Sequence, residues 1–151
     1  MSTEIFDQME ELLRETFEGA RPGKGTQYLD RDAGIYSTLR GLTAEQASRA
    51  NGKHPSVAAH VRHMIFHLRV ACEWAAGDQG KRDWKASFLP QSVTPVEWAA
   101  LIEEFGQVRE EYLRIMRGLS PERFVEEGAG MGAIAHLAYH LGAIRQHLPS
   151  A

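Results

Sequence analysis

The chain has 151 residues, of which 43% are hydrophobic, so it is long enough to bury the core of one compact domain without disulfide bonds. Its 17 basic and 20 acidic residues give a formal net charge of -3, which argues against partners such as nucleic acid or an anionic membrane. Cys72 is the only cysteine, which excludes an internal disulfide and a thiolate-rich zinc knuckle, and no apolar run reaches the roughly 18 to 20 residues of a membrane span. We therefore expect a single domain over residues 1–151, in the cytoplasm because the acidic, amphipathic start lacks the pattern of a signal peptide.

Apolar residues recur at helical intervals in five stretches, and none of these stretches alternates with the period of a strand. The first stretch covers about 5–17 and is followed by the glycine-rich loop 19–25. The second covers about 29–42, and the spacing of Thr43 and Gln46 predicts a capping box for one further turn. Together these two stretches are predicted to form one arm that is kinked or split.

Three longer helices are predicted after that arm. The third stretch, about 55–76, begins with a proline, which suits the first turn of a helix. The fourth, about 94–117, begins at Thr94 with a proline next to it and Glu97 three residues on, which together make the strongest start signal in the chain. The last stretch covers about 131–148 and is closed by a proline.

Two segments with turn residues lie between these long helices. Residues 80–92 include Trp84 and Phe88, and an aromatic-bearing loop of this kind either packs over a helix end or lines a pocket. Residues 128–132 (GAGMG) are interpreted as a flexible lead into the last helix. Four long helices joined by loops indicate an all-α fold, specifically a four-helix bundle.

Histidines mark one side of each of two predicted helices. They are His60, His63 and His67 on the third stretch, and His136, His140 and His147 on the last. At about 100° per residue, each group of three falls within a sector of roughly 60° or less. Each sector lies on the flank of an apolar stripe, where side chains border the interior of a bundle and can still reach water.

The histidine spacing suits a metal site. His136 and His140 lie one turn apart on one face, so both imidazoles can bind a single divalent ion, and one histidine from a facing helix would complete a set of three. Three ligands leave a coordination position open, where an ion can activate water or accept a thiol. The chain contains neither HExxH nor Glu-x-x-His, which excludes the zincin protease and ferritin-like di-iron patterns.

The remaining histidines and the cysteine are expected to have less direct roles. His60 and His67 should support the site or pack against it, His147 should be a solvated residue at a helix end, and His54 a loop residue. Cys72 lies outside the histidine sector of its helix and is expected to be a small core residue.

The histidine-bearing segments 55–68 and 136–146 read PSVAAHVRHMIFHL and HLAYHLGAIRQ. They resemble the second-helix and last-helix motifs of the DinB-like (DinB/YfiT) superfamily of metal-dependent enzymes. The resemblance implies that His63, His136 and His140 are the metal ligands. It also implies a bundle of up-down-down-up topology, a zinc or nickel ion near one end of it, and frequent homodimers.

The same resemblance bears on function. Members of that superfamily with assigned activity include thiol S-transferases that use bacterial low-molecular-weight thiols, a maleylpyruvate isomerase and hydrolases. For this chain it implies a metalloenzyme, of the hydrolase or thiol S-transferase type, that activates water or a small thiol against a small-molecule substrate near the segment 84–98. The alternative is a non-catalytic metal-binding or structural bundle, in which the ion is stabilising or absent.

Gly142, in the last-helix motif, is a residue type that destabilises a helix. A glycine inside a helix is about 1 kcal/mol less favourable than alanine, so we expect a neighbouring helix to approach closely there. The residue after it is Ala143, where many relatives have a glutamine.

Overall fold

The computed structural model describes residues 2–126 and 129–148, and no strand occurs within those ranges. Within those ranges there are seven α-helices and one 3-10 turn, at Ala86–Phe88. The helices are α1 (Ser2–Glu18), α2 (Ile35–Arg40), α3 (Ala44–Ser48), α4 (Val57–Ala75), α5 (Pro95–Gly118), α6 (Pro121–Glu126) and α7 (Ala129–Gln146). The prediction of an all-α fold is confirmed.

Side-chain caps set the starts of two of the long helices. The Thr94 hydroxyl accepts a hydrogen bond from the backbone N–H of Glu97, whose carboxylate accepts one from the Thr94 backbone, so the predicted capping box of α5 is confirmed. At α4 the cap is Ser56, which accepts from the backbone N–H of Ala59. Pro55 therefore precedes the cap, and its predicted place in the first turn is wrong.

The second predicted stretch is helical only from residue 35 onward, because Asp32 has a left-handed backbone conformation (φ 60°) that a right-handed helix cannot include. The buried carboxylate of Glu15 accepts hydrogen bonds from all three backbone N–H groups of 27–29, at 2.7 to 2.9 Å. These hydrogen bonds hold residues 27–29 against α1, in the loop that leads to α2, and the predicted helix over 29–34 is wrong. The capping box of Thr43 and Gln46 is present at the start of α3, as predicted.

The loop returns to the point where it leaves α1. A Cβ added to Gly34 would lie 2.7 Å from the backbone nitrogen of Gly19, so only glycine allows the two ends of the loop to approach this closely. The first arm is consequently split into α1 and α2.

The segment before α7 contains a helix that sequence periodicity does not predict. This is α6, whose buried Phe124 packs on the first turn of α7. A Cβ on Gly130 would come within 2.6 Å of the Met9 sulfur and closer still to the Phe124 ring. Gly130 is thus part of a close-packed contact instead of a flexible lead, while Gly128 and the closing Pro149 lie outside the described residues.

Charged pairs show the relative directions of the helices. Glu18, at the end of α1, pairs with Arg109 at 3.0 Å, and Glu10, two turns earlier in α1, pairs with Arg117 further along α5. These two helices therefore run antiparallel.

Helix α4 packs against both α5 and α7. Ile65 and Leu101 line the same surface groove, and one turn further on Arg69 pairs with Glu104 at 2.5 Å, so α4 and α5 run in the same direction. Among the described residues, no helix combines the length and the apolar character that crossing a membrane requires.

Candidate metal centre

Three histidines converge between α4 and α7. The Nε2 atom of His136 lies 3.1 Å from Nε2 of His63 and 3.2 Å from Nε2 of His140. A nitrogen of each ring lies within 4.8 Å of the corresponding atoms of the other two. His63 and His140 are buried and His136 is half-buried. The structure therefore brings together the three residues that the family resemblance points to.

The spacing of these nitrogens suits a single ion. Two imidazole nitrogens that bind one zinc ion at about 2.0 to 2.1 Å in tetrahedral geometry lie roughly 3.3 Å apart. The two Nε2 separations, 3.1 and 3.2 Å, are close to that value. A donor set made only of imidazoles suits zinc, copper, nickel or iron better than magnesium or calcium.

The histidines between these helices are held neutral. Burial lowers the pKa values of His60, His63, His67 and His136 to about 4, and that of His140 to about 3. The further contributions to these five pKa values come from other histidines, which disfavour a second positive charge nearby. Their lone pairs are therefore available to a metal ion at neutral pH.

His60 and His67 each contact one member of the trio. Nδ1 of His60 is 2.9 Å from Nδ1 of His140, and the ring of His67 stacks on that of His136 with centroids 3.8 Å apart and planes 15° apart. These contacts are of the kind expected from supporting or packing residues.

His147 differs from the prediction of a solvated residue at the helix end. It is half-buried just beyond α7, and its Nδ1 lies 2.8 Å from the side-chain nitrogen of Asn51. Its ring is 5.4 Å from that of His54 and 6.3 Å from that of His60. His54 is an exposed loop residue, as predicted, and ring contacts link all seven histidines of the chain into one array.

The loop between α4 and α5 covers the histidine side of α4. The Ser87 hydroxyl lies 2.7 Å from Nδ1 of His63, and Phe88 stacks on the His63 ring with centroids 4.0 Å apart and planes 11° apart. Trp84 lies beside His63 and His67, at 6.2 and 5.9 Å between ring centroids. The aromatic residues of this loop predicted that it packs over a helix end or lines a pocket, but no sequence pattern indicated a role for Ser87.

The two tryptophans of the segment 84–98 have different surroundings. Trp84 is partly exposed beside the histidines, whereas Trp98 is 5% exposed and donates its indole N–H to the backbone oxygen of Leu42. Trp98 is therefore a core residue, and only the first part of the segment borders the site. Tyr139, which sequence reasoning missed, is 73% exposed, and its ring lies 5.2 Å from that of His140.

A profile of the DinB superfamily matches residues 29–144, which is about three quarters of the chain and includes His63, His136 and His140. The chain belongs to the DinB superfamily. Comparison with curated proteins and with solved structures gave no significant match.

The single cysteine of this DinB-superfamily chain is a core residue, as predicted. Cys72 is buried in α4, and burial, with a smaller contribution from Glu111, raises the pKa of its thiol to about 11. A thiol that stays protonated at neutral pH is a poor nucleophile and a poor metal ligand.

Gly142 lies in an environment opposite to the predicted one. It is exposed on α7, and a Cβ added to it would meet no atom within 4 Å among the described residues. The expected close approach of a neighbouring helix is therefore wrong at Gly142. The glycine of α7 that packs closely on other residues is Gly130.

Proposed function

We propose that this DinB-superfamily protein binds one divalent metal ion, zinc or nickel, through His63, His136 and His140, and uses it to activate water or a low-molecular-weight thiol. The convergence of three imidazole nitrogens, with 3.1 and 3.2 Å between neighbouring Nε2 atoms, carries this proposal. When bound, such an ion supplies Lewis acidity, which lets water or a thiol lose its proton near neutral pH.

The residues around the trio support a site built for orientation. Each of the three rings has a neighbour outside the trio: Ser87 lies 2.7 Å from Nδ1 of His63, Nδ1 of His60 lies 2.9 Å from Nδ1 of His140, and His67 stacks on the face of His136. Hydrogen-bond partners such as the first two fix the direction of a ligand ring and raise metal affinity. Three ligands also leave a position at which a small molecule can bind.

Exposed aromatic residues favour a substrate with an apolar part. Trp84 and Tyr139 lie beside the histidines and are 37% and 73% exposed, while His136 is half-buried. We infer that a small electrophile approaches between these two aromatic side chains, from the side on which His136 is accessible.

The helix directions also bear on the architecture proposed for the site. We infer that α1, α4, α5 and α7 form a four-helix bundle of up-down-down-up topology. Support comes from the antiparallel packing of α1 and α5, the parallel packing of α4 and α5, and the reversed order of the histidine pairs between α4 and α7.

Elemental analysis of the purified protein, followed by an activity assay, tests this function. We expect one zinc or nickel ion per chain, loss of the ion on dialysis against a chelator, and its return on addition of either metal. The assay uses cysteine as the thiol with a chromogenic alkyl halide as the electrophile, and a nitrophenyl ester as the hydrolytic substrate. Activity in the loaded protein and none in the chelated protein is the expected result; a protein without stoichiometric metal would contradict the proposal.

Circular dichroism after chelation separates a catalytic ion from a structural one. The apolar core includes fully buried side chains from α1, α2, α4, α5 and α7, so we expect the fold to form without the ion. We expect the chelated protein to keep its helical signal while it loses activity. Cooperative unfolding on chelation would instead favour a non-catalytic protein in which the ion is structural.

A further inference from the structure

The hydroxyl of Ser87 has two neighbours, and together they determine where its hydrogen lies. Its Oγ atom is 2.5 Å from the backbone oxygen of Trp84 and 2.7 Å from Nδ1 of His63. A carbonyl oxygen can only accept a hydrogen bond, so the single hydroxyl hydrogen of Ser87 is donated to Trp84. The Ser87 oxygen must then accept the hydrogen bond from His63, which places a proton on Nδ1 of that ring.

The position of this proton decides what the other ring nitrogen can do. A neutral imidazole carries one N–H, so a proton on Nδ1 leaves Nε2 of His63 with a free lone pair. That Nε2 atom is the one 3.1 Å from Nε2 of His136. The hydrogen bond from His63 to Ser87 thus selects the tautomer that presents a lone pair to the other two histidines.

Ser87 is held in place by its own loop. The 3-10 turn at Ala86–Phe88 begins where the Asp83 carboxylate accepts the backbone N–H of Ala86, and the Trp84 oxygen lies one turn before Ser87. The next residue, Phe88, stacks on the face of the His63 ring. The ring is therefore fixed by a hydrogen bond at its edge and by an aromatic ring on its face.

The other two rings of the trio lack a partner that fixes the proton in this way. Nδ1 of His136 has no hydrogen-bond partner in the part of the chain that the structure describes. Nδ1 of His140 faces Nδ1 of His60, and either imidazole can donate in that pair. Of the neighbours of the three rings, Ser87 is the one whose hydrogen bonding allows a single tautomer of the histidine it contacts, His63.

We propose that Ser87 is a positioning residue for the metal centre: by accepting the Nδ1 proton of His63, it keeps Nε2 of His63 ready to bind the ion. The inference rests on the proposed metal site, and it makes the loop between α4 and α5 a determinant of metal affinity. Outer partners of metal-bound histidines typically contribute 10- to 100-fold to affinity.

The test compares zinc and nickel affinities, measured by competition with a chelator, across four proteins. We expect Ser87→Ala to bind each metal about 10- to 100-fold more weakly than wild type. Ser87→Thr keeps the hydroxyl and should restore affinity to near the wild-type value. Ser92→Ala, an exposed serine of the same loop, is the matched control and should bind as wild type does. Circular dichroism checks that all four proteins have the same helical content.

A second measurement reads the tautomer directly in the metal-free protein. Imidazole nitrogen NMR should show the proton of His63 on Nδ1 in wild type and Ser87→Thr, and a shift of the population toward Nε2 in Ser87→Ala. Equal affinity of Ser87→Ala and wild type, or an unchanged tautomer, would overturn the inference. If wild type binds neither metal, the proposed function fails, and the tautomer measurement alone decides the role of Ser87.

Discussion

Helix α7 has a first turn that packs closely on apolar side chains and a middle that presents imidazoles to α4. At the first turn, Gly130 lies so close to Met9 and Phe124 that no side chain fits. In the middle, the ring nitrogens of His136 and His140 face the ring nitrogens of other histidines. One helix thus contains a first turn whose packing is complete and a middle whose imidazole nitrogens lack well-matched hydrogen-bond partners; we call the middle the incomplete region.

The incomplete region lowers the stability of the metal-free protein. Nε2 of His60, Nδ1 of His67 and Nδ1 of His136 are buried nitrogens without a hydrogen-bond partner among residues 2–126 and 129–148. Each buried polar group left unsatisfied costs about 1 to 3 kcal/mol. These three nitrogens are not the Nε2 atoms proposed to bind the ion, so the cost belongs to the crowded imidazoles themselves, with or without the metal.

The largest expected effect is the loss of bound metal when one of the proposed ligands is removed. We expect His136→Ala and His140→Ala each to lower bound metal from one ion per chain to near zero, because the remaining histidines cannot complete the set. His147→Ala is the control: it removes a histidine just beyond the end of α7 that contacts Asn51 instead of the trio, and its metal content should equal that of wild type. Mass spectrometry of the native proteins measures all three, and equal metal in the three variants would contradict the triad.

Acid should affect the imidazole region next most strongly. In the metal-free protein the pKa values of five histidines lie at about 4 or about 3, below the value of about 6.5 in an unfolded chain. Between these values the unfolded chain binds more protons than the folded one, so the free energy of unfolding falls as pH drops from about 6.5 to about 4. Each histidine contributes a slope of up to about 1.4 kcal/mol per pH unit.

Urea unfolding at a series of pH values measures this slope. His67→Phe keeps an aromatic ring against His136 but removes one titrating group, so its slope should be smaller than that of wild type. Ser92→Ala, a change of an exposed residue that does not titrate, should leave the slope unchanged. A free energy of unfolding that stays constant between pH 7 and pH 5 would show that these rings are not held neutral.

The sequence predicts the long helices well because their signals are local. Apolar residues at helical spacing and the capping box at Thr94 depend only on neighbouring residues, and the structure confirms both. The helix predicted over residues 29–34 is wrong because Asp32 has a left-handed backbone conformation, in a loop whose residues 27–29 are bound by the distant carboxylate of Glu15. No local pattern reports a hydrogen bond between segments that are more than ten residues apart.

The candidate site shows the same division between local and distant information. Helical spacing places His136 and His140 on one face, but only the family motif distinguishes His63 from its neighbours His60 and His67. The contact of Ser87 with His63 joins residues 24 positions apart, and nothing in the sequence around Ser87 indicates it. The two glycines of α7 look alike in the sequence, and only packing separates Gly130 from Gly142.

The close-packed end of α7 gives a third test. Gly130→Ala would force a Cβ against Phe124 and Met9, so we expect the free energy of unfolding to fall by about 1 to 3 kcal/mol. Metal content should not change, because the substitution lies in the first turn of α7 and the histidines lie in the middle of that helix. Gly132→Ala is the matched control, since a Cβ there meets no atom within 4 Å in the described part of the chain. Thermal unfolding of both variants measures the difference, and equal melting temperatures would contradict the close contact at Gly130.

The smallest expected effect is at Gly142, which lies on the solvent-facing side of α7. Gly142→Ala adds a methyl group in open space and removes the conformational cost of glycine, so the free energy of unfolding should rise by up to about 1 kcal/mol. A change of this size raises the melting temperature by roughly 2 to 4 °C. Zinc affinity should stay at the wild-type value, because the new methyl group would meet no atom within 4 Å in the described part of the chain. The measurement is made at two protein concentrations: a loss of stability in the variant that deepens at the higher concentration would mean that a second copy of the chain covers this face of α7.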